Sequence, residues 1–98
     1  MTDPRYAKLA SNLINHSIRL QKGEKVLIEA FDLPETMIIA LARAARKAGG
    51  VPLVTLKNNR VLRELYREAT EEQMQLCGKV ELARMKEMDA YIAMRGSS

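Results

Sequence analysis

The side chains that most often carry chemistry are few and scattered in this chain. It holds one histidine, His16, and one cysteine, Cys77, and the two fall on different predicted helices. A metal site needs several His, Cys or carboxylate ligands at one point, and neither residue has a second ligand at a suitable spacing. We therefore interpret His16 as a partly exposed helix residue and Cys77 as a small apolar side chain inside the fold. We predict no metal ligand in this chain.

Two other kinds of motif are also missing from the sequence. Nucleophilic catalysis needs a Ser, Thr or Cys with a base in reach, but no G-x-S-x-G motif occurs and the one histidine lies on the first predicted helix. Phosphate-binding loops place glycines after a strand, where a helix begins. Gly49 and Gly50 instead precede a predicted strand, as glycines that end a helix do. We predict no catalytic and no cofactor-binding residue here.

Helical and strand patterns alternate along the chain. Asp3 and Pro4 are typical of a helix start, and apolar residues then recur every three or four positions until Lys22 and Gly23 end the pattern. Three short apolar runs follow, in KVLIEA, VPLVTLK and AYIAM, and each predicts a strand. The run in KVLIEA has no alternation, as expected for a strand covered on both faces. The sequence predicts an α/β fold: a small three-stranded parallel sheet in the order 2-1-3, helices on both faces, and an extra N-terminal helix.

The region between the second and third strands contains two further helical patterns. One runs from Asn59 to Ala69, and the other begins at a capping box opened by Thr70. Gly78 lies inside this second pattern, and we expect it to interrupt the helix because glycine disfavours helix interiors.

Polar residues gather where the predicted strands end. In open parallel sheets, ligands bind outside the carboxyl ends of the strands, so these residues are candidates for the rim of a cleft. They are Glu29, Asp32, Asn58, Arg95 and Ser97. Ordinary loop polarity is the alternative, with Asn58 acting as a helix cap. Asp89 lies at the opposite edge and is a poor candidate.

Composition limits the partners of the chain. Its 98 residues suit one small domain. The net charge of +4 comes from 16 cations interleaved with 12 acids, and the four scattered aromatic residues make a poor surface for stacking bases. This argues against nucleic acid. No apolar run is long enough to span a bilayer, so we expect no membrane partner. The opening MTDPRYAKLA does not resemble a signal peptide, and with a single cysteine we expect a reducing cytoplasm.

Four stretches carry a family resemblance. They are KLASNLINHS (8–17), QKGEKVLIEA (21–30), ARAARKAGGVPLV (42–54) and MDAYIAMRGS (88–97). In this order they resemble the N-terminal part of metal-dependent aminopeptidases of the aminopeptidase T and aminopeptidase S type, also called thermophilic metalloaminopeptidases. The likeness covers nearly the whole chain. His16 and the Gly50-Val51 pair depart from the pattern of many members.

The resemblance implies a function that residues outside this sequence would carry. Enzymes of that family are much longer and remove N-terminal residues from peptides with a pair of divalent metals, such as zinc or cobalt, bound in the later part of the chain. We therefore expect residues 1–98 to form a single α/β domain, the N-terminal domain or a fragment of a longer aminopeptidase. It would meet peptide substrate only as part of the full-length enzyme and be inactive alone.

Two alternatives stay open. One is a small basic binding module for an acidic partner or nucleic acid. The other is a structural domain that forms a homo-oligomer.

Overall fold

The computed structural model describes residues 3–96 and has the predicted α/β architecture. Its elements are α1 (Pro4–Asn12), continued by a π-helical turn (Leu13–Ser17), then β1 (Lys25–Phe31), α2 (Glu35–Lys47), β2 (Val51–Lys57), α3 (Asn59–Tyr66), α4 (Glu71–Lys86) and β3 (Ala90–Arg95). The three strands form an open sheet in the order β2-β1-β3 with both pairings parallel. The prediction of a three-stranded parallel sheet is confirmed, as is its strand order.

The hydrophobic core lies between the sheet and the first two helices. Val26 and Ile28 of the central strand pack against Ile14 and against Leu41 of α2, and all four side chains are fully buried. The continuous apolar run of β1 follows from its central place, because a strand with neighbours on both sides and helices over both faces has no exposed side.

The opposite face of the sheet is approached by α4. Lys57 of β2 shares this face with Phe31 and forms an ion pair with Glu81 of α4. The N-terminus of α4 is capped as predicted, since Thr70 Oγ1 accepts a hydrogen bond from the Gln73 backbone N–H at 3.1 Å.

The expectation that Gly78 interrupts this helix is wrong. Helix α4 runs unbroken for 16 residues across it. A single interior glycine costs only about 1 kcal/mol relative to alanine, which the neighbouring turns outweigh.

Helices α3 and α4 leave many apolar side chains exposed. Val61 is 64% exposed, Leu76 61% and Leu82 57%, whereas their helical spacing predicts a buried face. Cys77, predicted to be inside the fold, is only half-buried. Periodicity identifies apolar positions, but burial also needs a second surface to pack against them. None of the helices within residues 3–96 combines the length and the apolar character that a bilayer crossing requires.

Candidate functional site

The most buried charged group of the described chain is Glu29, in the middle of β1. The residue is 4% exposed, and its side chain points to the α4 side of the sheet, between Thr55 of β2 and Ala93 of β3. A carboxylate at such a place is costly unless it is paired. Lys57 Nζ lies 2.7 Å from Oε2, and the Tyr91 hydroxyl donates a hydrogen bond to Oε1. Glu29 is therefore held by one group from each neighbouring strand.

The network continues into α4. Glu81 Oε1 lies 3.8 Å from Lys57 Nζ and 3.7 Å from Arg84 Nη1. Charges thus alternate from Glu29 to Lys57, Glu81 and Arg84 across the space between sheet and helix. This polar network explains why α4 presents half-buried Cys77, Glu81 and Arg84 to the sheet while its larger apolar residues lie outside.

The environment shifts two pKa values. Burial works to raise the pKa of Glu29, but the hydrogen bonds from Lys57 and Tyr91 and the positive charges of Lys57 and Arg84 outweigh it and hold the pKa below its usual range. The hydrogen bond to Glu29, reinforced by burial, raises the pKa of Tyr91 to about 12. At neutral pH the site therefore holds a carboxylate and a neutral phenol, which is a static arrangement rather than a proton-transfer pair.

Two cations enclose the ring of Phe31 at the carboxyl end of β1. Arg95 Cζ lies 4.3 Å from the ring centroid and Lys57 Nζ lies 5.4 Å from it. Both distances are within the range of cation–π attraction. Arg95, a predicted rim residue, is therefore engaged with this ring.

The predicted rim residues Asp32 and Asn58 organise the start of α3. Asp32 Oδ2 accepts a hydrogen bond from the Asn59 N–H at 3.1 Å, and Asn58 Oδ1 accepts one from the Val61 N–H at 3.0 Å. Both oxygens thus satisfy amides that a helix start leaves free. Asp32 adopts a left-handed φ of 54° and packs closely against Gly96, where a Cβ would lie 2.2 Å from the Asp32 carbonyl oxygen.

The structure does not join the described rim residues into one constellation, and Glu29 lies inside β1 rather than beyond its end. Glu29 is buried under α4, whereas Asp32 lines an open hollow of about 570 Å³ on the α2 side, together with Leu33, Glu35 and Leu56. Ser97 lies outside the described residues. Whether these residues border a substrate cleft stays a prediction.

Within residues 3–96, no group of three or more His, Cys, Asp or Glu side chains converges so that it could hold a metal ion. The two best-placed carboxylates already have partners: Glu29 binds Lys57 and Tyr91, and Asp32 binds the start of α3.

The sequence analysis did not connect Tyr91, Glu81 and Arg84 to Glu29. The parallel register would have placed Tyr91 on the same face of the sheet as Glu29, one strand away, since side chains two residues apart share a face. No pattern in the sequence indicated that Glu81 and Arg84 would turn toward the sheet.

Comparisons with known proteins place the fold in a family. No curated protein matches the chain. Among solved structures, wild-type AmpT from Thermus thermophilus has a similar fold, with a TM-score of 0.72 and 23% sequence identity over 96% of this chain and 25% of that one. The chain therefore spans about a quarter of the length of that structure, and at this identity the likeness establishes a shared fold.

A family model gives the assignment. The model described as thermophilic metalloprotease (M29) matches residues 2–98, which is nearly the whole chain and confirms the resemblance seen in its sequence. The chain belongs to the thermophilic metalloprotease (M29) family.

Proposed function

We propose that this chain is the N-terminal α/β domain of a metal-dependent aminopeptidase, an enzyme that removes N-terminal residues from peptides. The match of the family model across residues 2–98 carries this proposal. The similar fold within a quarter of AmpT supports the view that a domain of this kind is one part of a longer enzyme.

The family implies a metal cofactor, and the described residues do not fit one. Glu29 and Asp32 are held by partners of their own, and no third ligand approaches either of them among residues 3–96. The proposal therefore assigns the ligands of a divalent metal pair, zinc, cobalt or a similar ion, to another part of the enzyme. Those two metal ions would supply Lewis-acid activation of water and of the peptide carbonyl.

The role proposed for this domain is to support the substrate cleft. The carboxyl edge of the sheet is stiffened by Asp32, which joins β1 to α3, and by the cations stacked on Phe31. A stiff edge is a suitable border for a site, because ligands of open parallel sheets bind there. A cytoplasmic enzyme is consistent with the single, half-buried thiol of Cys77.

Assays of two polypeptides test the proposal. The 98-residue chain, mixed with aminoacyl chromogenic substrates and added cobalt or zinc, should release no more product than the metal alone. The polypeptide encoded by the complete reading frame should cleave the same substrates, lose activity with a chelator and regain it with metal. Turnover by the 98-residue chain, or none by the complete polypeptide, would contradict the proposal.

The alternative of a basic binding module has one observation in its favour. Arg60 and Arg63 of α3 are exposed, as is Arg67, which directly follows the helix. A carboxylate oxygen of Glu64 lies 3.7 Å from Arg67 Nη1 and weakens the local positive charge. Such a module would bind nucleic acid with an affinity that falls steeply as salt increases. A fluorescence titration at two salt concentrations measures this, and absence of binding at physiological salt would eliminate the alternative.

A further inference from the structure

Two buried polar atoms in the space between the sheet and α4 have no hydrogen-bond partner among residues 3–96. They are Thr55 Oγ1 of β2 and Arg84 Nη1 of α4, and both are shielded from solvent. A buried donor or acceptor that stays unpaired costs the full free energy of its removal from water, and folded proteins satisfy nearly all such groups. These two atoms therefore indicate a small polar ligand between sheet and helix.

Both atoms belong to the surroundings of the Glu29 carboxylate. Thr55 is directly opposite Glu29 in the parallel register of β2 and β1, so the two side chains share one face of the sheet. Arg84 is close enough for its positive charge to help lower the pKa of Glu29. Glu29 Oε2 is also buried, and Lys57 Nζ at 2.7 Å occupies only one of its lone-pair positions. Two donors and an acceptor position are thus available at one buried place.

The contacts of Glu81 are spaced for a bridging molecule. Glu81 Oε1 lies 3.8 Å from Lys57 Nζ and 3.7 Å from Arg84 Nη1. A charge-assisted hydrogen bond between nitrogen and oxygen measures about 2.7–2.9 Å, so neither contact is a direct hydrogen bond. A water molecule joins polar groups at such separations with nearly the enthalpy of a direct bond. Glu81 therefore adds a second acceptor to the same place.

The charges of this polar network select a neutral ligand. Two cations, Lys57 and Arg84, face two carboxylates, Glu29 and Glu81, so the formal charges cancel at neutral pH. An added ion of either sign would meet a like charge, and an extra charge in the interior is costly. Water is neutral and has two donor and two acceptor positions, which suits a place that offers both kinds of group.

We propose that one water molecule binds inside the polar network and joins the sheet to α4. It donates hydrogen bonds to Glu29 Oε2 and Glu81 Oε1. It accepts hydrogen bonds from Arg84 Nη1 and from the Thr55 hydroxyl. Buried waters in proteins make about two to four such bonds, so this molecule is fully satisfied. The proposal does not depend on the peptidase assignment, because it concerns only how this domain holds α4.

Thr55→Val tests the proposal by the sign of its effect on stability. The substitution keeps the shape of the side chain and removes the hydroxyl. If the hydroxyl binds the water, the equilibrium constant for unfolding should rise about fivefold, as for the loss of one hydrogen bond, and the urea midpoint should fall. If the hydroxyl were unpaired, valine would relieve a buried polar group and the midpoint would rise. Thr36→Val on half-buried α2 is the control and should leave the midpoint nearly unchanged.

A double-mutant cycle separates the water from other effects at the two positions. Thr55 is uncharged and makes no direct hydrogen bond to Arg84, so any coupling between them reports a molecule that binds both. The effects of Thr55→Val and Arg84→Met on the urea midpoint should therefore be smaller together than their sum. Arg84→Gln replaces Arg84→Met if that variant fails to fold.

A crystal structure and solution relaxation measurements observe the water itself. Electron density should show a peak within about 3.2 Å of Arg84 Nη1, Glu29 Oε2 and Thr55 Oγ1. Oxygen-17 magnetic relaxation dispersion counts waters that stay bound for long times. That count should fall in Thr55→Val and should be kept in Thr55→Ser, which retains the hydroxyl.

Three results would overturn the proposal. The first is a urea midpoint of Thr55→Val that is unchanged or raised. The second is additive effects of the two substitutions in the cycle. The third is a crystal structure in which the Thr55 hydroxyl binds Glu29 directly and no water peak lies beside Arg84. None of these results bears on the peptidase assays.

Discussion

Removing the positive charge beside Glu29 tests whether the buried network stabilises this fold. Lys57→Met keeps an unbranched apolar stem against Phe31 but leaves the Glu29 carboxylate, 6% exposed at its side chain, without its ion-pair partner at 2.7 Å. Breaking a fully buried ion pair costs about 3–5 kcal/mol. Because the Lys57 side chain is itself 22% exposed, we expect a loss of unfolding free energy at the lower end of that range, about 3 kcal/mol. This corresponds to a fall in Tm of roughly 12–24 °C for a chain of this size.

The loss should depend on pH in a defined direction. In the native protein the pKa of Glu29 is held below its usual range, so its contribution to stability is complete above the ordinary carboxyl pKa and is lost as pH falls through the lowered pKa. Without Lys57, burial is opposed only by Tyr91 and Arg84, and the Glu29 pKa should rise. The difference in unfolding free energy between the two proteins should therefore be largest at neutral pH and shrink below about pH 4.

Urea denaturation followed by circular dichroism at pH 7 and in acid measures these differences. Lys47→Met, at an exposed position of α2, is the control and should change stability by less than about 0.5 kcal/mol. Adding Glu29→Gln to Lys57→Met should recover much of the loss, because a neutral amide can still accept from Tyr91 without carrying a buried charge. If Lys57→Met cost no more than the control, or if Glu29→Gln recovered nothing, the reasoning would be refuted.

Three further variants test individual contacts. Tyr91→Phe removes the hydroxyl that donates to Glu29 and should cost about 1 kcal/mol. It should also remove the phenol titration with a pKa of about 12, which ultraviolet absorbance measures. The stability linked to this phenol is present below the ordinary tyrosine pKa and is lost as pH rises through about 12. Gly96→Ala should destabilise by about 1–3 kcal/mol, because its Cβ would lie 2.2 Å from the Asp32 carbonyl oxygen; an unchanged urea midpoint would contradict this close packing. Gly78→Ala should instead stabilise by up to about 1 kcal/mol, because a Cβ added there would meet no atom within 4 Å, and a lower midpoint would mean that its surroundings are less open than this.

The fold could be predicted from local patterns. The run of Val26, Leu27 and Ile28 without alternation indicated a central strand with two covered faces, and in the structure all three side chains are fully buried. Two crossover connections of helical length then leave few arrangements for three parallel strands, because such crossovers are right-handed. The order β2-β1-β3 is the simplest of them.

The site could be predicted only in part. Sequence reasoning placed Glu29, Asp32, Asn58 and Arg95 near the carboxyl edge of the sheet, but the structure gives each of them a separate partner. Asn58 was identifiable as a helix cap, because capping depends on residues three positions away. The ion pair of Glu29 with Lys57 was not, since it joins residues on different strands whose side chains must also face the same way.

The amino-acid sequence by itself determined the family and the order of helices and strands, because both depend on motifs and periodicities within short stretches of chain. The tertiary structure decided how α4 is oriented. Its polar residues Glu81 and Arg84 face the sheet, where Lys57 and Glu29 attract them, and its apolar residues therefore face outward. The reason is physical: a helix turns toward the sheet the side with the best partners there, and those partners come together only when β1, β2 and β3 are assembled.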